Sequence, residues 1–204
     1  MTREMILALA LGYLLGSIPF GLILTRLAGK GDIRDIGSGN IGATNVLRTG
    51  SKPLAAATLL LDCLKATAAI LLARQLFGNP FDNLAERCAA AGAMIGHLYP
   101  VWLRFKGGKG AATFLGVLIP LLPIAAAIYA AIWLTLLLTI RISSVAGMTA
   151  AVSAPITAAV LGERTLLPML LGFAVLVLWK HRENILRLRK GTEPRIGSKT
   201  SSTA

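Results

Sequence analysis

Two short stretches of this chain hold residues whose types and spacing could do chemistry. GSGNIGATN, residues 37–45, carries glycines at G-x-G-x-x-G spacing, and FKGGKG, residues 105–110, matches the end of a P-loop. Glycines let successive backbone N–H groups turn toward one anion, and small polar side chains add hydrogen bonds without bulk. Ser38, Asn40, Thr44 and Asn45 supply such side chains, while Arg48 and Lys109 supply positive charge. A helix starting at Ala43 would add free N–H groups. The ligand this chemistry fits is a phosphate, or two.

Neither stretch is a nucleotide site. A dinucleotide-binding turn needs a strand before it and a βαβ unit around it. Here an amphiphilic loop precedes Gly37 and an apolar run follows Asn45. A P-loop needs Ser or Thr after its lysine, whereas Gly110 follows Lys109, and Leu103 stands where the first P-loop glycine belongs.

The elements that must position these loops are set by composition. Of 204 residues, 55% are hydrophobic and 15% charged, with a mean hydropathy of +0.70. A soluble domain of this size cannot hide so much apolar surface, so the expected solvent is a bilayer. Apolar runs at 5–24, 53–73, 84–103, 111–140, 145–161 and 166–179 predict an all-α, polytopic membrane bundle. The first run lacks a basic leader, because Arg3 and Glu4 cancel, so it reads as a span and not as a cleaved signal. Cys63 and Cys88 lie in or beside apolar segments without metal-ligand spacing and read as small packing residues.

Charge placement sets the count of crossings. With the amino terminus outside, sixteen of the 21 basic residues fall on the cytoplasmic side, as the positive-inside rule requires. That distribution argues for a membrane protein and against a nucleic-acid partner. The run at 111–140 would be roughly 45 Å long as one helix, against a hydrocarbon core of roughly 30 Å. Pro120 and Pro123 sit near its middle, so it is expected to cross twice or to form a tight hairpin. Seven helices follow, with the carboxyl terminus in the cytoplasm. One domain spans 1–191, without an internal repeat, and the polar tail 192–204 is expected to lack structure.

In that topology three polar clusters, at 30–50, 96–113 and 179–193, share one membrane face and can meet in one cleft. Asp62 and Lys65 lie inside a span, where charge is costly unless paired or facing a wet cavity. At i and i+3 they can pair; a role supporting the substrate site is the other reading. The nine acidic residues are scattered, so no metal or other cofactor is expected, and activity should survive a chelator. A small carrier of organic phosphates would need similar residues. Carriers place their site at the midplane and often show repeats, and neither is visible here.

GSIPFG (16–21), GSGNIGATN (37–45), GHLYPVWLRFKGGKGAAT (96–113) and HRENILRL with GTE (181–193) closely resemble the bacterial PlsY family of membrane acyl-phosphate:glycerol-3-phosphate acyltransferases. The resemblance implies seven helices, a bacterial inner-membrane location and an active site at the cytoplasmic face. It also implies transfer of a long acyl chain from acyl phosphate to the 1-hydroxyl of sn-glycerol 3-phosphate, giving lysophosphatidate for phospholipid synthesis. A monomer among membrane lipids is expected. An acyl phosphate already has a good leaving group, so the protein chiefly orients two anions. The chain offers no obvious nucleophile and no H-x-x-x-x-D pair, since Trp102 and Leu186 stand five residues after His97 and His181. A substrate phosphate oxygen is then the expected proton acceptor.

Residue roles follow. Lys109 and Arg48 are expected to neutralise the glycerol phosphate, and Ser38, His181 and Asn184 to hold it or its hydroxyls. Asn40, Thr44, Asn45 and the Gly107–Gly108 backbone are expected to cradle the acyl phosphate. His97 is either a ligand contact or an interfacial hydrogen-bonder, and Lys106 a ligand contact or a surface charge. Glu183 is better placed to pair with Arg48 or Arg182 than to act as a base. Alanine- and glycine-rich helices can pack closely and leave a groove for the acyl chain, without indicating which helices form it.

Overall fold

A computed structural model of the chain describes residues 2–78 and 82–197. Among the described residues ten α-helices run in order: α1 (Arg3–Gly16), α2 (Phe20–Leu27), α3 (Ala43–Val46), α4 (Lys52–Phe77), α5 (Leu84–Leu98), α6 (Ala111–Leu121), α7 (Pro123–Thr139), α8 (Ser143–Val160), α9 (Leu167–Lys180) and α10 (Arg182–Arg189). The described residues contain no strand. Three helical stretches among the described residues are long and apolar enough to cross a membrane: Arg3–Leu27, which takes in α1 and α2, Lys52–Phe77 and Ser143–Val160. Shorter apolar helices are α6, α7 and α9.

The run at 111–140 is divided as its prolines require. Leu122 leaves helical geometry at φ −153°, and Pro123 opens α7, where a missing N–H costs nothing. The Tyr129 hydroxyl donates to the Ala111 carbonyl at 2.9 Å, eighteen residues back. A straight helix would hold those residues roughly 27 Å apart. The two helices therefore form an antiparallel hairpin. Phe114 on α6 meets Tyr129 and Phe173 edge-on, at centroid distances of 5.7 and 5.6 Å, which ties this hairpin to α9.

Between apolar helices in lipid, close packing replaces the hydrophobic effect, and small residues permit it. Gly12 and Gly16 of α1 lie directly on the backbone of Ala89 and Ala93 in α5, and Gly92 and Gly96 return the contact onto Leu9 and Tyr13. A β-carbon at any of these four would strike a main-chain carbonyl oxygen. Gly116 of α6 does the same against Cys63 of α4, and the Thr67 hydroxyl donates to the Gly116 carbonyl at 2.8 Å. On α8 the packing surface is alanine: Ala146, Ala150, Ala151, Ala154 and Ala158 are fully buried.

One end of this bundle carries the polar loops. The loop 28–42 is pinned by Ile33 and Ile41, which pack with Leu22, Val46 and Ala55 as a small second core. Pro100 stops the run that starts at 84, so α5 ends at Leu98 and the chain turns sharply through 99–110. The tail departs from expectation. The Ile196 N–H donates to the Arg141 carbonyl at 2.7 Å and Glu193 is drawn inward, so 192–197 is tied to the bundle. Its composition looked too polar to order, but hydrogen bonds hold it where apolar burial does not. Residues 198–204 lie outside the described residues.

Candidate active site

The first loop is organised by one buried amide. Asn45, 2% exposed, donates through Nδ2 to the Ile33 carbonyl at 2.6 Å. Its Oδ1 accepts from the Ser38 N–H at 3.2 Å, the Ser38 hydroxyl at 3.4 Å and Arg48 Nη1 at 3.1 Å. The Asn45 oxygen is thus fully engaged inside the loop, and what it presents outward is Ser38 and Arg48, both exposed. Asn40 Oδ1 accepts from the Gly42 N–H at 2.9 Å, closing an Asx turn just before α3. Thr44 stands exposed on that four-residue helix. Gly37, at φ +58°, lies under the Arg48 side chain, where a β-carbon would overlap it.

The second loop is built differently. The Gly107 N–H donates to the Leu98 carbonyl at 3.2 Å, and the Gly108 N–H to the His97 carbonyl at 3.0 Å. Both expected phosphate donors therefore already bond to the end of α5, and the pair shapes the turn. A β-carbon on Gly107 would overlap the His97 carbonyl, and one on Gly108 would overlap the His97 ring. Arg104 and Phe105 adopt left-handed φ of 51° and 62°, strain that the turn tolerates to bring Lys109 around. Lys106 is exposed, as a surface charge would be.

The third segment closes the site. Lys109 Nζ donates in a short hydrogen bond to Asn184 Oδ1. Asn184 Nδ2 in turn donates to Glu193 Oε1 at 2.5 Å, which also accepts from the Ser144 hydroxyl at 2.7 Å. Arg187 Nε pairs with Glu193 Oε2 at 2.7 Å. Burial alone would push the Glu193 carboxyl up, but the bonds from Asn184, Ser144 and Arg187 together hold it below the usual carboxylate range. Burial pushes the Lys109 ammonium down to about 8, and Arg187 and Arg48 act in the same direction while Glu193 and Glu183 oppose it. The second and third polar segments meet at Lys109 through Asn184, and the first reaches it through the charge of Arg48, the smallest of these effects.

His181 sits where α9 breaks into α10 and is 5% exposed. Its Nδ1 faces the Val177 carbonyl at 2.8 Å, and a carbonyl only accepts, so Nδ1 carries the proton and Nε2 has the free lone pair. Burial pushes the imidazole down to about 4 against the effect of that bond, and Lys109 adds to the shift. His181 is a neutral acceptor.

Two expectations change. Glu183 is exposed and takes neither expected partner: Arg48 donates to Asn45, and Arg182 lies over the Trp179 ring at 5.5 Å. Glu183 stays at the exposed edge, where only its charge acts on Lys109, and Glu193, assigned to the tail by its polar surroundings, is the carboxylate that bonds within the site. His97 is not interfacial. It is buried beneath Gly108, with Nδ1 2.9 Å from Lys65 Nζ, and Lys65 also pairs with Asp62 Oδ1 at 2.7 Å. Ser144, Arg187 and Glu193 are the participants that sequence reasoning missed. Only the GTE triplet hinted at the last.

A membrane-type bundle that joins Lys109, Asn184, Glu193 and Arg187 beside His181, with Arg48 acting on Lys109 from the first loop, fits a handler of small organic phosphates. The family model for glycerol-3-phosphate acyltransferase matches residues 6–191, and the chain belongs to that family. A glycerol-3-phosphate acyltransferase of Mesorhizobium japonicum is 57% identical over 199 residues, covering 98% of this chain and all of the relative. Its counterpart in Allorhizobium ampelinum is 52% identical over 195 residues, covering 96% and 93%. Among solved structures, the glycerol 3-phosphate form of PlsY, an integral membrane glycerol 3-phosphate acyltransferase, superposes with a TM-score of 0.87. It is 39% identical over 95% of this chain and 96% of that one. The lysophosphatidic acid form of PlsY gives 0.85 at 39% identity.

Proposed function

We propose that this chain transfers a long acyl group from acyl phosphate to the 1-hydroxyl of glycerol 3-phosphate, yielding lysophosphatidate and inorganic phosphate. The observation that carries the reading is the meeting of three separate polar segments at Lys109, bonded to Asn184 and influenced by Arg48, Arg187 and Glu193. Lys109 and Arg48 grip the glycerol phosphate, and the exposed Ser38 hydroxyl adds a donor by giving up its 3.4 Å bond to Asn45. His181 Nε2 accepts the hydrogen bond of the attacking hydroxyl and orients its oxygen toward the acyl carbonyl. An imidazole at about 4 is a weak base, so the proton passes to a phosphate oxygen of the acyl donor. The hydroxyl oxygen bonds to the carbonyl carbon, the bond from that carbon to the phosphate oxygen breaks, and inorganic phosphate leaves with the proton.

The acyl chain lies in an open groove of about 350 Å³ between α8 and α9, lined by Val152, Pro155, Ile156, Leu171, Val175 and Leu178 among others. Its lining exposes no polar surface, and Leu178 stands three residues from His181. In this reading α1–α2 together, α4, α5, α6, α7, α8 and α9 make seven crossings, with the amino terminus outside and the polar loops in the cytoplasm. The placement of sixteen of 21 basic residues supports that orientation. Purified protein in detergent, given glycerol 3-phosphate and palmitoyl phosphate, should release phosphate and lysophosphatidate in equal amounts. A carrier would release neither.

A further inference from the structure

The first motif, GSIPFG, has no part in the chemistry above, and neither do the buried charges of α4. They belong together. The helix break at Ser17–Pro19 turns the Ile18 carbonyl inward, where it accepts from Lys65 Nζ at 2.9 Å. Phe20 places its ring 5.8 Å from the same ammonium. Asp62 Oδ1 and His97 Nδ1 complete the set at 2.7 and 2.9 Å. The side chains of Lys65, Asp62 and His97 are 2%, 5% and 4% exposed.

An ammonium has three N–H donors and no acceptor, and Lys65 has three acceptors around it. His97 Nδ1 is therefore an acceptor, which puts the ring proton on Nε2, the edge that faces Gly108. The ring is held at one edge by Lys65 and forms the floor under Gly108 with the other. The Gly108 N–H returns to the His97 carbonyl, and Lys180 from α9 fixes the adjoining Leu98 carbonyl at 2.9 Å. Lys109 is the next residue.

We propose that Asp62, Lys65 and His97 are positioning residues: a buried ionic cluster that fixes the height of the second glycine loop and so places Lys109 at the glycerol phosphate. This inference rests on the acyltransferase reading and deepens it. An ion pair kept only for stability can be replaced by apolar side chains of similar shape with little loss. A positioning cluster cannot, because Lys65 also sets the ring that carries the loop.

The test is the double variant Asp62→Leu with Lys65→Met, purified in detergent beside the wild type and assayed with glycerol 3-phosphate and palmitoyl phosphate. Wild-type turnover comes first, and its absence would sink the acyltransferase reading and the inference with it. The double variant should elute like the wild type, with KM for glycerol 3-phosphate raised about tenfold and KM for palmitoyl phosphate within twofold. His97→Asn keeps an acceptor for Lys65 and removes the ring, and it should show the same selective rise, which decides the matter if the double variant does not fold. A folded variant with an unchanged KM for glycerol 3-phosphate, with both KM values shifted alike, or with only kcat reduced, overturns the proposal.

Discussion

The two glycine-rich loops look alike in sequence, yet they are held by opposite means. The first is a side-chain construction: Asn45 collects Ile33, Ser38 and Arg48 and leaves the last two exposed. The second is a backbone construction: Gly107 and Gly108 lie against the end of α5 with their N–H groups bonded to its last carbonyls. The exposed side chains of the first loop can therefore adjust to a ligand, whereas the second presents Lys109 at a fixed height. Glycine serves conformational freedom in one and close approach in the other.

Lys109→Ala tests this contrast with the largest effect. It removes the charge on which the three segments meet, and kcat/KM for glycerol 3-phosphate should fall at least about 1,000-fold without a change in elution volume. Normal turnover would end the assignment. Glu193→Gln comes next. It keeps the shape but weakens charge-assisted bonds to Asn184, Ser144 and Arg187, so kcat/KM should drop roughly 10- to 100-fold. Asn45→Ala, in the adjustable loop, should raise KM for glycerol 3-phosphate by about tenfold and leave the rest of the protein intact. A loss as large as that of Lys109→Ala would show that the first loop is as rigid as the second.

The pH profile sharpens the same comparison. Burial lowers Lys109 to about 8, so its positive charge is present below that pH and lost above it. In the free enzyme, kcat/KM for glycerol 3-phosphate should hold below pH 8 and then decline by about tenfold per unit. His181, down at about 4, stays neutral throughout this window and adds no acid limb near pH 6. The smallest effect belongs to Gly31→Ala. At φ +74° with no atom near a new β-carbon, it should cost about 1 kcal/mol of stability, read as a lowered melting midpoint, and change the rate less than twofold.

Much of this was legible along the chain. Pro120 and Pro123 announced the α6–α7 hairpin because a missing N–H is a local matter. The i, i+3 spacing announced the Asp62–Lys65 pair because helix geometry fixes which neighbours meet. Glu193 was not legible as a site residue. Its neighbours are polar, and only the return of 192–197 across the start of α8 brings it to Asn184 and Ser144. The same limit hid the state of Gly107 and Gly108, since a glycine's letter does not say whether its N–H is free.

The order of residues alone determined that this chain is a helical membrane protein, which helices break, and that cations and glycines gather in three segments. Periodicity, proline chemistry and charge are properties of neighbours in sequence. Tertiary structure alone decided which carboxylate closes the site, which N–H groups are already bonded, and that a buried lysine from α4 reaches the ring beneath Gly108. Those outcomes depend on contacts that no helix repeat sets, from the nine positions between Asn184 and Glu193 to the 75 between Lys109 and Asn184, and such pairings are fixed only when the helices and loops pack.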